Sequence, residues 1–93
     1  MPAVWHWRVE GEVQGVGFRW FVSRAAGALA LSGWVRNTPD GAVEVAARGP
    51  ETDLLSLEKA LAAGPPQARV DRVVRGPDSG WDEPDTAGFR IRH

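Results

Sequence analysis

The residues with the strongest chemical promise lie in one short run, Gly11-Glu12-Val13-Gln14-Gly15-Val16-Gly17-Phe18-Arg19. Gly15 and Gly17 accept positive φ and carry no Cβ, so the backbone between them can curl with successive N–H groups pointing inward. A helix starting just after this run adds its own unpaired N–H groups and the positive end of its dipole. Arg19, at the mouth of that helix, supplies a permanent charge whose planar fork grips two phosphate oxygens together. The run therefore reads as a cradle for a phosphate-sized anion.

By spacing alone, a plain structural turn between a strand and a helix remains an open reading. The run is not a P-loop, because the Gly-Lys-Ser/Thr ending is missing. Nor is it a dinucleotide fingerprint, because Gly15-Val16-Gly17 continues as Phe18-Arg19-Trp20 with no third glycine in place. A single phosphoryl group suits it better than a nucleotide.

The elements needed to position this cradle follow from the patterning of 93 residues, enough for one small domain over 1–93 that folds without staples. Val4 to Glu10 alternates as a strand, with Trp5, Trp7 and Val9 on the buried face and His6, Arg8 and Glu10 on the exposed one. Trp20 to Leu31 takes helical period, with Phe21, Val22, Ala25, Ala28 and Leu29 inward and Ser32-Gly33 ending it. Trp34 to Asn37 and Ala42 to Arg48 form a hairpin about Thr38-Pro39-Asp40-Gly41, where proline presets φ and glycine accepts a positive one. Glu51 to Ala63 is a second helix, with Leu54, Leu57 and Leu61 on its core stripe and Gly64-Pro65-Pro66 stopping it. Ala68 to Arg75 is a strand whose Val70, Val73 and Val74 break strict alternation, which points to a shifted register or a bulge. Gly76 to Gly88 reads as a loop holding Trp81 and the solvated acids Asp82, Glu83 and Asp85, and Phe89 to Arg92 as a short closing strand.

The order β-α-β-β-α-β plus a final strand packs economically as a ferredoxin-like α+β sandwich, one antiparallel sheet with both helices on one face. Under that topology the loop after the first strand and the end of the second strand can lie near each other.

Composition narrows the chemistry further. The absence of cysteine excludes disulfides, thiolate metal sites and cysteine nucleophiles, and permits a reducing cytoplasm. No leader and no run of about 18 apolar residues is seen, so a soluble cytoplasmic protein with no membrane partner is expected. A net charge of −1 gives no general attraction to nucleic acid.

Two long motifs then carry a family resemblance. Val9 to Arg19 resembles the first signature of the acylphosphatases, and Gly33-Trp34-Val35-Arg36-Asn37-Thr38-Pro39-Asp40-Gly41-Ala42-Val43, continuing to Gly49, resembles their second. Their separation, the chain length and the element order agree with that family throughout. The resemblance implies hydrolysis of the carboxyl–phosphate bond of acyl phosphates, with neither metal nor other cofactor, by a monomer acting on a small-molecule substrate. At matching positions, Arg19 and the backbone amides of Gln14, Gly15, Val16, Gly17, Phe18 and Arg19 bind the phosphate, while Asn37 positions the attacking water. Glu12 stands where the family often carries a basic residue. Topology and family precedent also suggest that the His93 carboxylate pairs with Arg19 when substrate is absent.

The competing class is a non-catalytic anion- or RNA-binding module on the same fold. RNA recognition on this sheet calls for aromatic residues on the third strand, and Ala42 to Arg48 has none. Arginines 69, 72, 75, 90 and 92 could form a basic edge, although acids interleave them in sequence. A third reading places the cradle within a larger carbamoyl-handling assembly, against which the short chain argues.

Overall fold

The computed structural model describes residues 2–76 and 88–92. Among them are five strands, β1 (Ala3–Glu12), β2 (Ser32–Asn37), β3 (Val43–Gly49), β4 (Arg69–Arg75) and β5 (Phe89–Arg92). Two helices, α1 (Phe18–Ala28) and α2 (Glu51–Ala63), separate β1 from β2 and β3 from β4. The sheet order is β4-β1-β3-β2-β5. Helix α1 packs on β2 and β5, α2 packs on β4, β1 and β3, and the helices touch each other. This is the expected ferredoxin-like α+β sandwich. The sheet is mixed rather than wholly antiparallel, because β5 runs parallel to β2, Val35 opposite Ile91.

The core lies between the helices and the sheet. Trp7 and Val9 of β1 face Val45 and Val43 of β3, and Val35 of β2 also sits opposite Val45, all without solvent exposure. Leu54, Leu57 and Leu61 close it from α2, each burial worth about 1.5–3 kcal/mol. Trp7 finds a partner for its indole N–H in Glu58 of α2, at 2.9 Å. Strand and helix are thus joined by a directional bond as well as by apolar contact.

Several local expectations are revised. Helix α1 begins at Phe18, two residues earlier than periodicity suggests, because Gly17 at φ 76° caps it and Gly17 O accepts from Phe21 N at 3.0 Å. It ends at Ala28, not at Ser32-Gly33. Ala30 takes the left-handed conformation (φ 55°), and its N–H and that of Leu31 return to Gly27 O and Ala26 O, each at 3.0 Å. This closed C-terminal turn satisfies the last carbonyls without glycine. The buried stripe runs through Phe18, Val22 and Ala26, while Ala28 is exposed. His6, expected on the exposed face, is buried beside Ala46, its partner across the ladder, which in turn opposes the buried Trp34.

Strand β1 extends through Gly11 and Glu12, which pair with β4 and so stand outside the glycine loop. Pairing steps from Glu10 and Arg72 to Gly11 and Val70, leaving Asp71 as the extra residue of a bulge. That insertion lets Val70 and Val73, three positions apart, both pack on the core. Gly11 makes it possible: a Cβ there would stand 2.1 Å from Arg69 O.

Candidate active site

Residues 13–17 connect the end of β1 to α1, with Gly15 at φ 75° and Gly17 at φ 76°. Both conformations disfavour a Cβ, and together they turn the chain sharply into the helix. No carbonyl or side chain among the described residues accepts from the amides of Gly15, Val16, Gly17 or Phe18. The first turn of α1 carries no acid and no side-chain cap. Phe18 turns its ring into the core and fixes the start of the helix, which leaves Arg19 and Trp20 at the surface edge of the first turn.

Asn37 reaches this loop through sheet topology. On β2 it alternates with Val35 and Gly33 and so shares the helix-facing side of the sheet. A pocket of about 200 Å³ is lined by Val13, Gly15, Gly17, Phe18, Arg19, Trp20, Asn37 and Ile91. Among the described residues Arg19 is its one charged lining residue and no carboxylate lines it. The expected cradle and Asn37, eighteen positions apart from Arg19 in sequence, therefore meet in one place. The Asn37 Oδ1 is buried and has no hydrogen-bond partner among the described residues. An unsatisfied buried acceptor costs about 1–3 kcal/mol, which favours a role in holding a ligand or water over a structural one.

Arg19 is braced by β5, its guanidinium donating to Arg92 O at 3.2 Å. Ile91 of the same strand forms a wall of the pocket. The expected pairing of Arg19 with the His93 carboxylate falls outside the described residues, as do Trp81, Asp82, Glu83 and Asp85.

Sequence reasoning assigned Gln14 a backbone role and missed what its side chain does. Gln14 Nε2 donates to Thr38 O at 2.7 Å and to Ala42 O at 2.8 Å, joining the loop to the β2–β3 turn. The turn is closed by Thr38 N to Ala42 O at 2.9 Å and by Ala42 N to the Thr38 hydroxyl at 3.0 Å. Asp40 accepts from the Thr38 hydroxyl and from Arg8 at 2.6 Å. The Thr38 hydroxyl, then Arg8, hold the Asp40 carboxyl down to about 2.

A second depression, lined by Arg8, Arg36, Asn37, Thr38, Pro39, Asp40 and Glu44, opens on the other side of Asn37. Its arginines are committed to carboxylates, Arg8 to Asp40 and Arg36 to Glu44 at 2.9 Å. Two arginines and two acids balance there, so this depression offers a dianion no net attraction, whereas the lining of the first pocket carries the Arg19 charge. Along the β4 edge the charges are paired likewise: Arg69 with Asp71 and Glu12, Arg72 with Glu10, Arg75 with Glu58. That edge is an ion-paired surface rather than a basic strip for RNA. Glu12 thus serves β4, away from the pocket.

The acylphosphatase family model matches residues 5–91. The chain belongs to the acylphosphatase family. It is 46% identical over 87 residues to an acylphosphatase of Thermococcus kodakarensis, covering 92% of this chain and 91% of that one. Among solved structures, an acylphosphatase from Coxiella burnetii superposes with a TM-score of 0.85 at 38% identity, over 98% of this chain and 93% of the other. The acylphosphatase from Bacillus subtilis gives 0.80 at 37% identity, with both chains covered in full. The two signatures that carry the family resemblance supply most of the pocket lining, with Trp20 and Ile91 added from outside them. Among the described residues no helix is long and apolar enough to cross a membrane.

Proposed function

We propose that Arg19 and the amides of Gln14 to Arg19 hold the phosphoryl group, and that Asn37 presents the water, in the acyl phosphate hydrolysis this acylphosphatase-family enzyme performs. The observation that carries the assignment is the shared pocket, where, among the described residues, the Arg19 charge, a run of amides with no internal acceptor and a buried carboxamide oxygen with no hydrogen-bond partner meet. In the net reaction water's oxygen bonds to phosphorus, the bond from phosphorus to the acyl oxygen breaks, and the carboxylate departs with the electron pair. Carboxylate and dihydrogen phosphate account for every proton.

A carboxylate is a good leaving group, so the transition state is loose, and charge gathers on the equatorial phosphoryl oxygens. Arg19 and the amides stabilise that charge in place, while the Asn37 carbonyl accepts from the water and its NH2 donates to it. Holding both reactants in line replaces the need for a strong base. Cysteine-free composition and a pocket lined by residues of one chain support a monomer working in the cytoplasm on a small acyl phosphate.

The test is benzoyl phosphate hydrolysis, followed by ultraviolet absorbance with a chelator present, for wild type, Arg19→Ala and Asn37→Ala. Turnover by wild type that both substitutions abolish is the expected result. Turnover that survives either substitution overturns that residue's role.

A further inference from the structure

We propose that the groove along α1 beside Trp20 receives the acyl group of the substrate, and that Trp20 makes the enzyme favour flat, apolar acyl groups. The proposal rests on the phosphate pocket assigned above. A groove of about 560 Å³ lies against that pocket, walled by Val16, Gly17, Trp20, Phe21 and Pro65 together with Arg24 and Ala25. Gly17 and Trp20 line both spaces, so the two adjoin, whereas Asn37 lines only the phosphate pocket of the pair.

In-line displacement fixes the direction. The entering and leaving oxygens stand on opposite sides of phosphorus. With the water held at Asn37, the acyl oxygen points away from Asn37, and the space adjoining the pocket on the Gly17 and Trp20 side takes what is attached to it. Trp20 is 62% exposed, the most exposed large apolar side chain among the described residues. Its indole lies at the mouth of the site, where a ring can stack on it. Val16, Phe21 and Pro65 give the rest of the wall an apolar character suited to an aryl group.

The experiment compares kcat/KM for benzoyl and acetyl phosphate in wild type, Trp20→Ala, Trp20→Phe and the surface control Leu55→Ala. Each substrate is read against its own wild-type rate, which removes the difference in intrinsic reactivity. Trp20→Ala is expected to lower the benzoyl value about tenfold further than the acetyl value, and Trp20→Phe to restore most of that gap. Leu55→Ala, an exposed apolar change on α2, is expected to leave both rates unchanged. Equal loss on both substrates, or no loss on either, overturns the subsite while leaving the phosphate pocket standing. Wild type that hydrolyses neither substrate overturns the catalytic assignment, and the subsite with it.

Discussion

The side chain of Gln14 spans from the phosphate loop to Thr38, donating from one nitrogen to the carbonyls of Thr38 and Ala42. Thr38 follows Asn37 directly, so this bracket sets the distance between the loop amides proposed to hold phosphate and the carboxamide proposed to hold water. Gln14→Ala removes one donor from each carbonyl, Ala42 O keeping Thr38 N and Thr38 O keeping Gly41 N, and is expected to cost about 1 kcal/mol in denaturant unfolding. It should lower kcat more than it raises KM, since the phosphate site survives while the water is misplaced. Gln14→Glu is expected to be worse, because a carboxylate cannot donate and would face two carbonyl oxygens. A Gln14→Glu variant with wild-type kcat would exclude the bracket.

Arg19→Ala is expected to remove at least about 10²-fold in kcat/KM and to abolish competitive inhibition by inorganic phosphate. Loss of one neutral oxyanion donor already costs that much, and this contact is charged. Phosphate inhibition as strong in the variant as in wild type would show that Arg19 does not bind the anion.

Asn37→Ala should behave differently. Phosphate inhibition is expected to stay within about threefold of wild type while kcat falls on the order of 10²-fold, since the carboxamide acts on the water in the transition state. Removal of its buried, unpartnered oxygen also predicts unchanged or higher stability, about 1 kcal/mol at most. A matching loss in phosphate affinity would move Asn37 into the anion site.

The carboxyl of Asp40, held near 2, ties the active-site turn to pH. Its folded pKa lies below the unfolded value of about 4, so its contribution is present above pH 4 and is lost as pH falls toward 2. The melting temperature of Asp40→Asn should therefore sit below wild type at pH 7, with the gap closing between about pH 4 and pH 2. Because Asp40 is solvent-exposed, added salt should shrink the gap at pH 7 as well. A gap independent of pH would assign its origin to the turn's shape instead of its charge.

Two glycines should respond in opposite directions. A Cβ at Gly33 would lie 1.9 Å from Ala46 O, inside the β2–β3 ladder, so Gly33→Ala is expected to cost more than about 3 kcal/mol. Gly27 sits exposed in α1 with nothing within 4 Å of such a carbon, and Gly27→Ala is expected to add about 1 kcal/mol. Thermal melts of the two variants check both signs together.

Much of this protein is readable from its sequence because the signals are local. Leu54, Leu57 and Leu61 share a face by helical period alone, and the turn at Thr38 to Gly41 needs only the φ preferences of proline and glycine. Gly15, Gly17 and Arg19 read as an anion site because their backbone and charge chemistry does not depend on distant partners. Asn37 was reachable only through its place in the second family signature, since an asparagine before a turn is otherwise ordinary.

Tertiary structure decided the rest, through contacts between residues far apart in the chain. Parallel pairing of β5 with β2 depends on which strand edge is left open, and it is what brings Ile91 and the Arg92 carbonyl to Arg19. The Asp71 bulge is set by the close approach of β4 to Gly11, so the spacing of Val70 and Val73 hinted at it without locating it. His6 is buried because strand pairing sets it beside Ala46 and Trp34, which alternation along β1 cannot register. The Gln14 bracket is legible only in three dimensions, because its acceptors lie 24 and 28 residues away and a glutamine carries no mark of where its amide will point. Local backbone chemistry thus wrote the glycine loop and its arginine into the sequence, while long-range strand pairing determined where the Asn37 carboxamide stands against them.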